Sequence, residues 1–435
     1  MEWYFTLSII MILILVLFLT GLPVAFAFIV LNVIALYLWF GTSAWHLIVL
    51  SAYEVLTVYE MLAVLFFMLM GEVLYHSGVV KEVFDAVDVL VGKIKGRLSY
   101  VTLIVSVIMA AVSGSVLGVG AALAATLGTE MREKGYDISI SSGPIMAGAC
   151  LALIIPPSAM AVLLATLAKL SVGSMLIGGV MPGLLLWAMF MVYLFVKIAK
   201  NPSLTPEDEI RKASVSQKVS SLFRILPLTI LFFLVTGTIF TGVATPTEAS
   251  GLGAFGAFVV AALYHRFNMR AINKAILASG EMIGMIFLIV MGSKCFSQLL
   301  GGTGATGGML EAVLALDLPA WCLIVMMQLI IVFMGMIMDD ISIMMITLPI
   351  FMPIVRAIGY NELLFGILFL LNIGVSLLTP PFGLLIFVIK GVSPPETRIL
   401  DLYKIAIPWT IMMLAGMIVV AVFPRIALWL PSLIS

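Results

Sequence analysis

The chain has 435 residues, of which 63% are hydrophobic and only 10% charged, with a mean hydropathy of +1.25 and zero formal net charge. Soluble domains carry about 25% charged residues, so this composition excludes a sizeable soluble domain. The absence of a dense basic or acidic block excludes nucleic acid as a partner. An all-α polytopic membrane protein remains: at roughly 20 residues per span, the length accommodates about 11–12 membrane segments.

Residues 1–40 contain no Lys or Arg, so the basic n-region of a secretory signal peptide is missing. They read as two retained spans, 4–20 and 23–40, turning at Gly21-Leu22-Pro23. A third span is expected over 55–75. The first basic residue is Lys81; later ones cluster at Lys93–Arg97, Lys197–Lys218, Arg266–Lys274 and Lys390–Lys404. The positive-inside rule puts these clusters in the cytoplasm and the N-terminus outside.

The 79–98 segment, with Val83, Val87 and Leu90 along one face, reads as an amphipathic arm in the membrane interface. The apolar run 99–128 is interrupted at Val112-Ser113-Gly114-Ser115 and followed by Glu130-Met131-Arg132-Glu133-Lys134. Counting it as a full crossing would leave the basic loop at 197–218 outside, so it is expected to be a re-entrant hairpin. Segments follow at 141–168 and 172–196, then a polar loop at 201–220, spans at 221–240 and 243–264, and a crossing from Glu281 to Leu300. A second arm is expected at Met309–Pro319, then a second hairpin with Asp339-Asp340 at its apex, then Leu363–Ile389 with SLLTPPFGLL at its centre.

Sliding the sequence by 224 residues superposes Arg132, Gly135, Tyr136 and Asp137 on Arg356, Gly359, Tyr360 and Asn361, Pro156-Pro157 on Pro380-Pro381, and Gly78 on Gly302. A duplication is expected, with N-terminal scaffold helices at 1–54, one repeat at 55–200, a polar loop and connecting helices at 201–275, and a second repeat at 276–435. The crossing count makes the repeats inverted, each with one hairpin and one broken helix, a recurrent build of secondary transporters.

A proline inside a helix donates no N–H and clashes with the carbonyl four residues back. The two Pro pairs are therefore expected to free the carbonyls of Ala152, Leu153, Ser376 and Leu377. Such oxygens suit a small cation, and half-helix N-termini suit a carboxylate. Candidate substrate-binding residues are Ser115, Ser158, Asp339, Thr379 and Lys294. Asp339 falls on Ser115 under the shift, which places it at a hairpin tip or in a water-exposed turn. Lys294, alone in its apolar segment, meets a substrate, pairs with an acidic residue or snorkels to an interface. Thr245-Pro246-Thr247-Glu248 looks like a site but also fits a capping box, with Thr245 as N-cap, Pro246 at the first helical position and Glu248 at N3. Glu54, Glu60 and Glu72 read as interfacial or paired, and Cys150, Cys295 and Cys322 as buried thiols without metal-ligand spacing.

Ser113-Gly114-Ser115, the EMREKGYD segment at 130–137, Ile155-Pro156-Pro157-Ser158, Met181-Pro182-Gly183, Thr245-Pro246-Thr247-Glu248-Ala249, Gly335-Met336 with Asp339, and Thr379-Pro380-Pro381-Phe382-Gly383 occur in this order. As an ordered set covering nearly the whole chain, they resemble the large membrane subunit of tripartite ATP-independent periplasmic (TRAP) transporters. The resemblance implies Na⁺-driven uptake of an organic acid across a bacterial or archaeal inner membrane by an elevator-like unit. It also implies a separate small four-helix membrane subunit and a periplasmic substrate-binding protein, with Na⁺ as coupling ion and no other cofactor. The family's Na⁺ positions carry over to Ser113, Gly114 and Ser115, to Pro156 to Ser158, and to Thr379, Pro380 and Gly383. Two departures are Val116, where the family often has Ser, and the glycine-rich turn Gly301–Gly308. The competing reading is a stand-alone ion-coupled anion symporter. An intramembrane enzyme is disfavoured, because the chain has neither HExxH nor a Ser paired with an intramembrane His.

Overall fold

The computed structural model describes residues 3–92, 94–113, 115–206, 214–336, 338–381, 383–394 and 396–433, and the described residues form helices without strands. Six helices are long and apolar enough to cross a membrane: Val172–Lys200, Val215–Phe240, Pro246–Leu263, Met269–Gly302, Asp340–Ala357 and Ile399–Val422. The other apolar helices are shorter.

In chain order, α1 (Trp3–Leu19) and α2 (Val24–Phe40) pack together and lead into α3 (Ser43–Thr57) and α4 (Met61–His76). The single span expected over 55–75 is thus a pair of helices, bent by 56°. The arm α5 (Val79–Val91) precedes a hairpin made of α6 (Arg97–Ser113) and α7 (Val116–Leu123), with α7 running through a π-turn at Ala124–Gly128 into α8 (Thr129–Glu133). A broken helix follows, α9 (Ile138–Cys150) and α10 (Ala159–Ala168), and then α11 (Val172–Lys200). Helices α12 (Val215–Phe240) and α13 (Pro246–Leu263) connect to α14 (Met269–Gly302), and the set recurs: α15 (Ala305–Leu314), the hairpin α16 (Ala320–Gly335) and α17 (Asp340–Ala357), the broken helix α18 (Glu362–Ser376) and α19 (Leu384–Val392), and α20 (Ile399–Val422).

The repeated Gly-Tyr-Asp/Asn motif works as a stop and a start. Gly135 and Gly359 take left-handed φ of +81° and +67°. In both repeats the glycine N–H bonds the carbonyl three residues back, and the tyrosine N–H bonds the carbonyl five back, which closes the preceding helix. Asp137 then accepts from the Ser139 N–H and Asn361 from the Leu364 N–H, each at 2.8 Å, capping the next helix. The one-residue αL requirement makes glycine the fitting choice at the turn.

Three expectations are corrected. The left-handed glycine that starts the second arm is Gly304, not Gly302: Gly304 has φ +74°, like Gly78 at +75°, while Gly302 is helical. The glycine-rich turn therefore carries a two-residue slip in the repeat, and the arm begins earlier than 309. The first arm's apolar face is covered by protein rather than lipid, with Val79, Val83 and Val87 buried and α5 packed on α6 and α12. Asp88 of the same arm is buried and paired with Arg97 at 2.8 Å. Cys150 and Cys295 are buried as expected, whereas Cys322 is partly exposed.

The core is closed by glycines that admit a neighbour. A Cβ at Gly143 of α9 would lie 2.4 Å from Nε1 of Trp409, a fully buried residue of α20. Gly143→Ala is predicted to cost about 1–3 kcal/mol through overpacking. Gly237→Ala in α12, where nothing lies within 4 Å, should be neutral or stabilise by up to about 1 kcal/mol through helix propensity. Thermal melts of the purified variants check this, and equal shifts would refute the packing account.

Candidate functional site

The broken helices and hairpins form one packed body. Helix α7 of the first hairpin lies on α19, and α17 of the second lies on α10, so each hairpin's returning helix supports the second half of the other repeat's broken helix. Gly335, near the end of α16, approaches Ser376 so closely that a Cβ on the glycine would lie 2.1 Å from the serine's own Cβ. The second hairpin is thereby seated against the start of the second break. At the centre, Cys150 Sγ donates to the Gly374 carbonyl at 3.6 Å. These two residues are 224 apart, the repeat offset itself. A residue touching its own repeat mate is what an axis relating the two repeats requires at its centre.

The two breaks are built differently. In the first, residues 151–165 are all buried, Pro156 and Pro157 included. Ser158 Oγ donates to the Leu153 carbonyl at 2.9 Å, replacing the N–H that Pro157 lacks, and accepts from the Ala161 N–H at 3.2 Å as the N-cap of α10. In the second break Pro380 and Pro381 are exposed, and Gly383 is a left-handed N-cap with φ +52°. Ser376 O accepts from the Thr379 N–H at 3.1 Å, and Thr379 Oγ1 donates to Val375 O at 2.7 Å.

Two of the four carbonyls expected to be free, those of Leu153 and Ser376, are thus satisfied, one by a hydroxyl and one by a tighter turn. Leu377 O and Thr379 O accept no hydrogen bond from a described residue. Both converge on Gly383, where an added Cβ would meet each at 3.4 Å. Two carbonyl oxygens brought together at Gly383, with the Thr379 hydroxyl oxygen on the same turn, form a donor set of the kind a small hard cation prefers. No cluster of three or more His, Cys, Asp or Glu fit for a metal occurs among the described residues.

At the hairpin tips, Ser115 caps α7 by accepting from the Gly118 N–H at 3.2 Å. Asp339 caps α17 by accepting from the Ser342 N–H at 3.2 Å and from the Ser342 hydroxyl. Gly114 lies outside the described residues, as does the side chain of Ser113. Asp339 is a cap at the apex of its hairpin, the equivalent of Ser115. Thr245 and Glu248 form the capping box read from the sequence.

Lys294 stands apart. Its Nζ lies 2.7 Å from Glu54 Oε2 in a cavity of about 710 Å³ that also takes in Pro349 of α17. About 15 Å of α17, at 1.5 Å per residue, separate Pro349 from Asp339. Neither this cavity nor the buried Asn372–Gln328 contact, in which Asn372 Nδ2 donates to Gln328 Oε1 and O at 2.7 Å each, is signalled by local pattern. A lone Asn in an apolar run was the available hint.

A family model described as the tripartite ATP-independent periplasmic transporter, DctM component, matches residues 11–426. The C4-dicarboxylate TRAP transporter large permease protein DctM of Pseudomonas aeruginosa is 29% identical, covering 90% of this chain and 91% of that one. The 2,3-diketo-L-gulonate TRAP transporter large permease protein YiaN of Escherichia coli is 28% identical, covering 93% of each. The sialic acid TRAP transporter large permease protein SiaM of Vibrio cholerae is 26% identical, covering 86% of this chain and 87% of that one. Among solved structures, the YdaH transporter of Alcanivorax borkumensis matches with a TM-score of 0.61 at 15% identity, covering 90% of this chain and 88% of that one, a likeness of fold alone.

The contrast between the breaks yields a prediction. Ser158→Ala leaves the buried Leu153 carbonyl without a donor and is expected to cost about 1–3 kcal/mol, with Ser158→Thr costing less; Thr379→Ala, at the exposed break, should cost under about 1 kcal/mol. Thermal unfolding of the three variants distinguishes them, and equal losses would show that the hydroxyl does not close the first break.

Proposed function

The chain belongs to the DctM-component family of tripartite ATP-independent periplasmic transporters, and from that premise we propose that it is the large permease subunit of a Na⁺-coupled importer of small organic acids. The observation that carries this reading is the second break, where Leu377 O and Thr379 O lie against Gly383 beside exposed prolines and accept no hydrogen bond from a described residue. Irregular backbone at membrane depth persists only where protein buries it or a polar cavity receives it. The first break meets the first condition, and the second is read here as meeting the other.

In this reading the chain lies in the inner membrane with its N-terminus outside. The repeats are inverted and their hairpins re-entrant, and the hairpins with the two broken helices move as one elevator-like unit against the remaining helices. Bound Na⁺ would supply positive charge beside the cargo's carboxylate. Leu377 O and Thr379 O would hold it, with the Thr379 and Ser115 hydroxyls as neighbouring ligands. Ser115 and Asp339, capping α7 and α17, would fix those helix N-termini, whose N–H groups favour an anion.

The relatives' named cargoes are C4-dicarboxylates, sialic acid and 2,3-diketo-L-gulonate. All are organic acids, and this chain's cargo is proposed to be of the same class. A periplasmic binding protein is proposed to deliver it, and a separate small membrane subunit to complete the permease.

The test is uptake of labelled succinate, N-acetylneuraminate and 2,3-diketogulonate into proteoliposomes holding this chain and its small subunit, with and without an inward Na⁺ gradient and the binding protein. Uptake that needs both supports the tripartite importer. Uptake with Na⁺ alone would instead assign a stand-alone symporter. No Na⁺-dependent uptake of any of them would overturn the coupling. Thr379→Ala and Ser115→Ala are each predicted to raise the Na⁺ concentration for half-maximal uptake about tenfold, the equivalent of one lost oxygen ligand at about 1.4 kcal/mol. Unchanged Na⁺ activation in both variants would remove these hydroxyls from the ion site.

A further inference from the structure

The cavity that holds Lys294 lies away from the breaks, and its position in the membrane follows from its walls. It is lined by the bend between α3 and α4, the α10–α11 turn, the α12–α13 turn, α14 and one residue of α17. The lining helices have their far ends at basic residues: α4 leads to Lys81, α11 ends at Lys197 and Lys200, α12 carries Lys218 in its first turn, α13 runs to Arg266, and α14 starts beside Arg270. By the positive-inside rule the cavity opens on the outer face, where cargo arrives.

Its lining carries two lysines, Lys169 and Lys294, and two carboxylates, Glu54 and Glu60. Lys294 and Glu54 are paired at 2.7 Å, yet their side chains are 37% and 42% exposed. An ion pair so open to water contributes only about 0–1 kcal/mol, so an incoming carboxylate can take the place of Glu54 at little cost. Lys169 reaches the same cavity from another wall. It caps the C-terminal end of α10 in the left-handed region with φ +58°, is exposed, and pairs with no acidic side chain among the described residues. The preceding carbonyl, Ala168 O, accepts from Arg356 Nη2 at 2.9 Å, which fixes the turn that presents Lys169. A volume of about 710 Å³ is within the range of small-molecule sites, roughly 300–1,000 Å³.

We infer that this cavity is a capture site for the cargo's carboxylate, in which Lys294, released from Glu54, and Lys169 hold the anion at the outer mouth before it reaches the hairpins. The inference rests on the importer reading above and adds to it a second anion site that does not depend on Na⁺. Lys294 stands on α14, which packs on α2, α3 and α4, while Lys169 belongs to the α10–α11 connection beside α17. A captured anion therefore bridges the two groups of helices proposed to move against each other.

The test uses full-length protein in nanodiscs with Cys322→Ser, which removes the partly exposed native thiol, and Ser297→Cys as a reporter within the cavity. Succinate, N-acetylneuraminate and 2,3-diketogulonate are each added without Na⁺, and the rate of maleimide labelling at position 297 is followed. At least one acid is expected to slow labelling. Lys294→Ala and Lys169→Ala should each raise its half-protecting concentration roughly fivefold, the scale of one exposed charge pair. Lys294→Arg should restore protection, and Glu54→Gln should lower the half-protecting concentration. Labelling unaffected by all three acids, or protection indifferent to both lysines, would overturn the inference. An unprotected reporter in protein that still performs Na⁺-driven uptake would overturn the capture site alone. Protection without uptake would retain the site and overturn the importer reading.

Discussion

Backbone hydrogen bonding at membrane depth is the constraint on which the rest of this structure depends. In hydrocarbon each unsatisfied N–H or C=O costs several kcal/mol, so a polytopic chain reads as uninterrupted helix unless something else accepts the strain. Single prolines in the helices here, such as Pro144, Pro182, Pro227 and Pro408, leave the helix continuous. Two adjacent prolines do not, because consecutive N–H donors are lost. The fold then resolves the same interruption in two ways, once by burial with the Ser158 hydroxyl as a substitute donor and once with Pro380 and Pro381 exposed ahead of the left-handed Gly383.

That difference sets the repeats apart in their polar bonding. Their helices, turns and caps correspond closely, down to the bonds around Gly135 and Gly359. Their polar interiors do not. Gln328 and Asn372 join the second hairpin to its broken helix through two hydrogen bonds, whereas the residues at the same offsets in the first repeat are Ile104 and Gly148. Arg356 reaches across to the Ala168 carbonyl and to Glu362, while among the described residues Arg132 bonds Thr129 of its own helix. The shared scaffold is symmetric, and the chemistry placed on it is not.

Much of this was legible in the sequence because it is carried by residues with few alternatives. Paired prolines, a left-handed glycine followed by an N-cap, and a TPTE capping box each constrain the backbone within a few residues, and a fixed offset linked them into repeats. The rest depended on packing, which local pattern does not encode. The bend between α3 and α4 follows no proline or glycine. The slip from Gly302 to Gly304 hides among several glycines, any of which suits the position. The burial of Asp88 depends on Arg97, nine positions later, being brought against it in the fold. Lys294 was visible as an oddity, but its partner Glu54 is 240 residues away, and no periodicity connects them.

The contact between Cys150 and Gly374 bears on how a doubled chain differs from a pair of identical subunits. In a symmetric dimer, whatever side chain stands at the axis must be met by its own copy, so the space there has to be shared in equal portions. Here a thiol occupies one side and no side chain the other, and a Cβ added to Gly374 would stand 3.6 Å from that of Cys150 and 2.4 Å from the Met413 methyl. Joining the two halves in one polypeptide releases the centre from that equality. A volume too small for two like residues can be filled by two unlike ones, and the closest approach of the halves becomes the place where they are free to stop resembling each other.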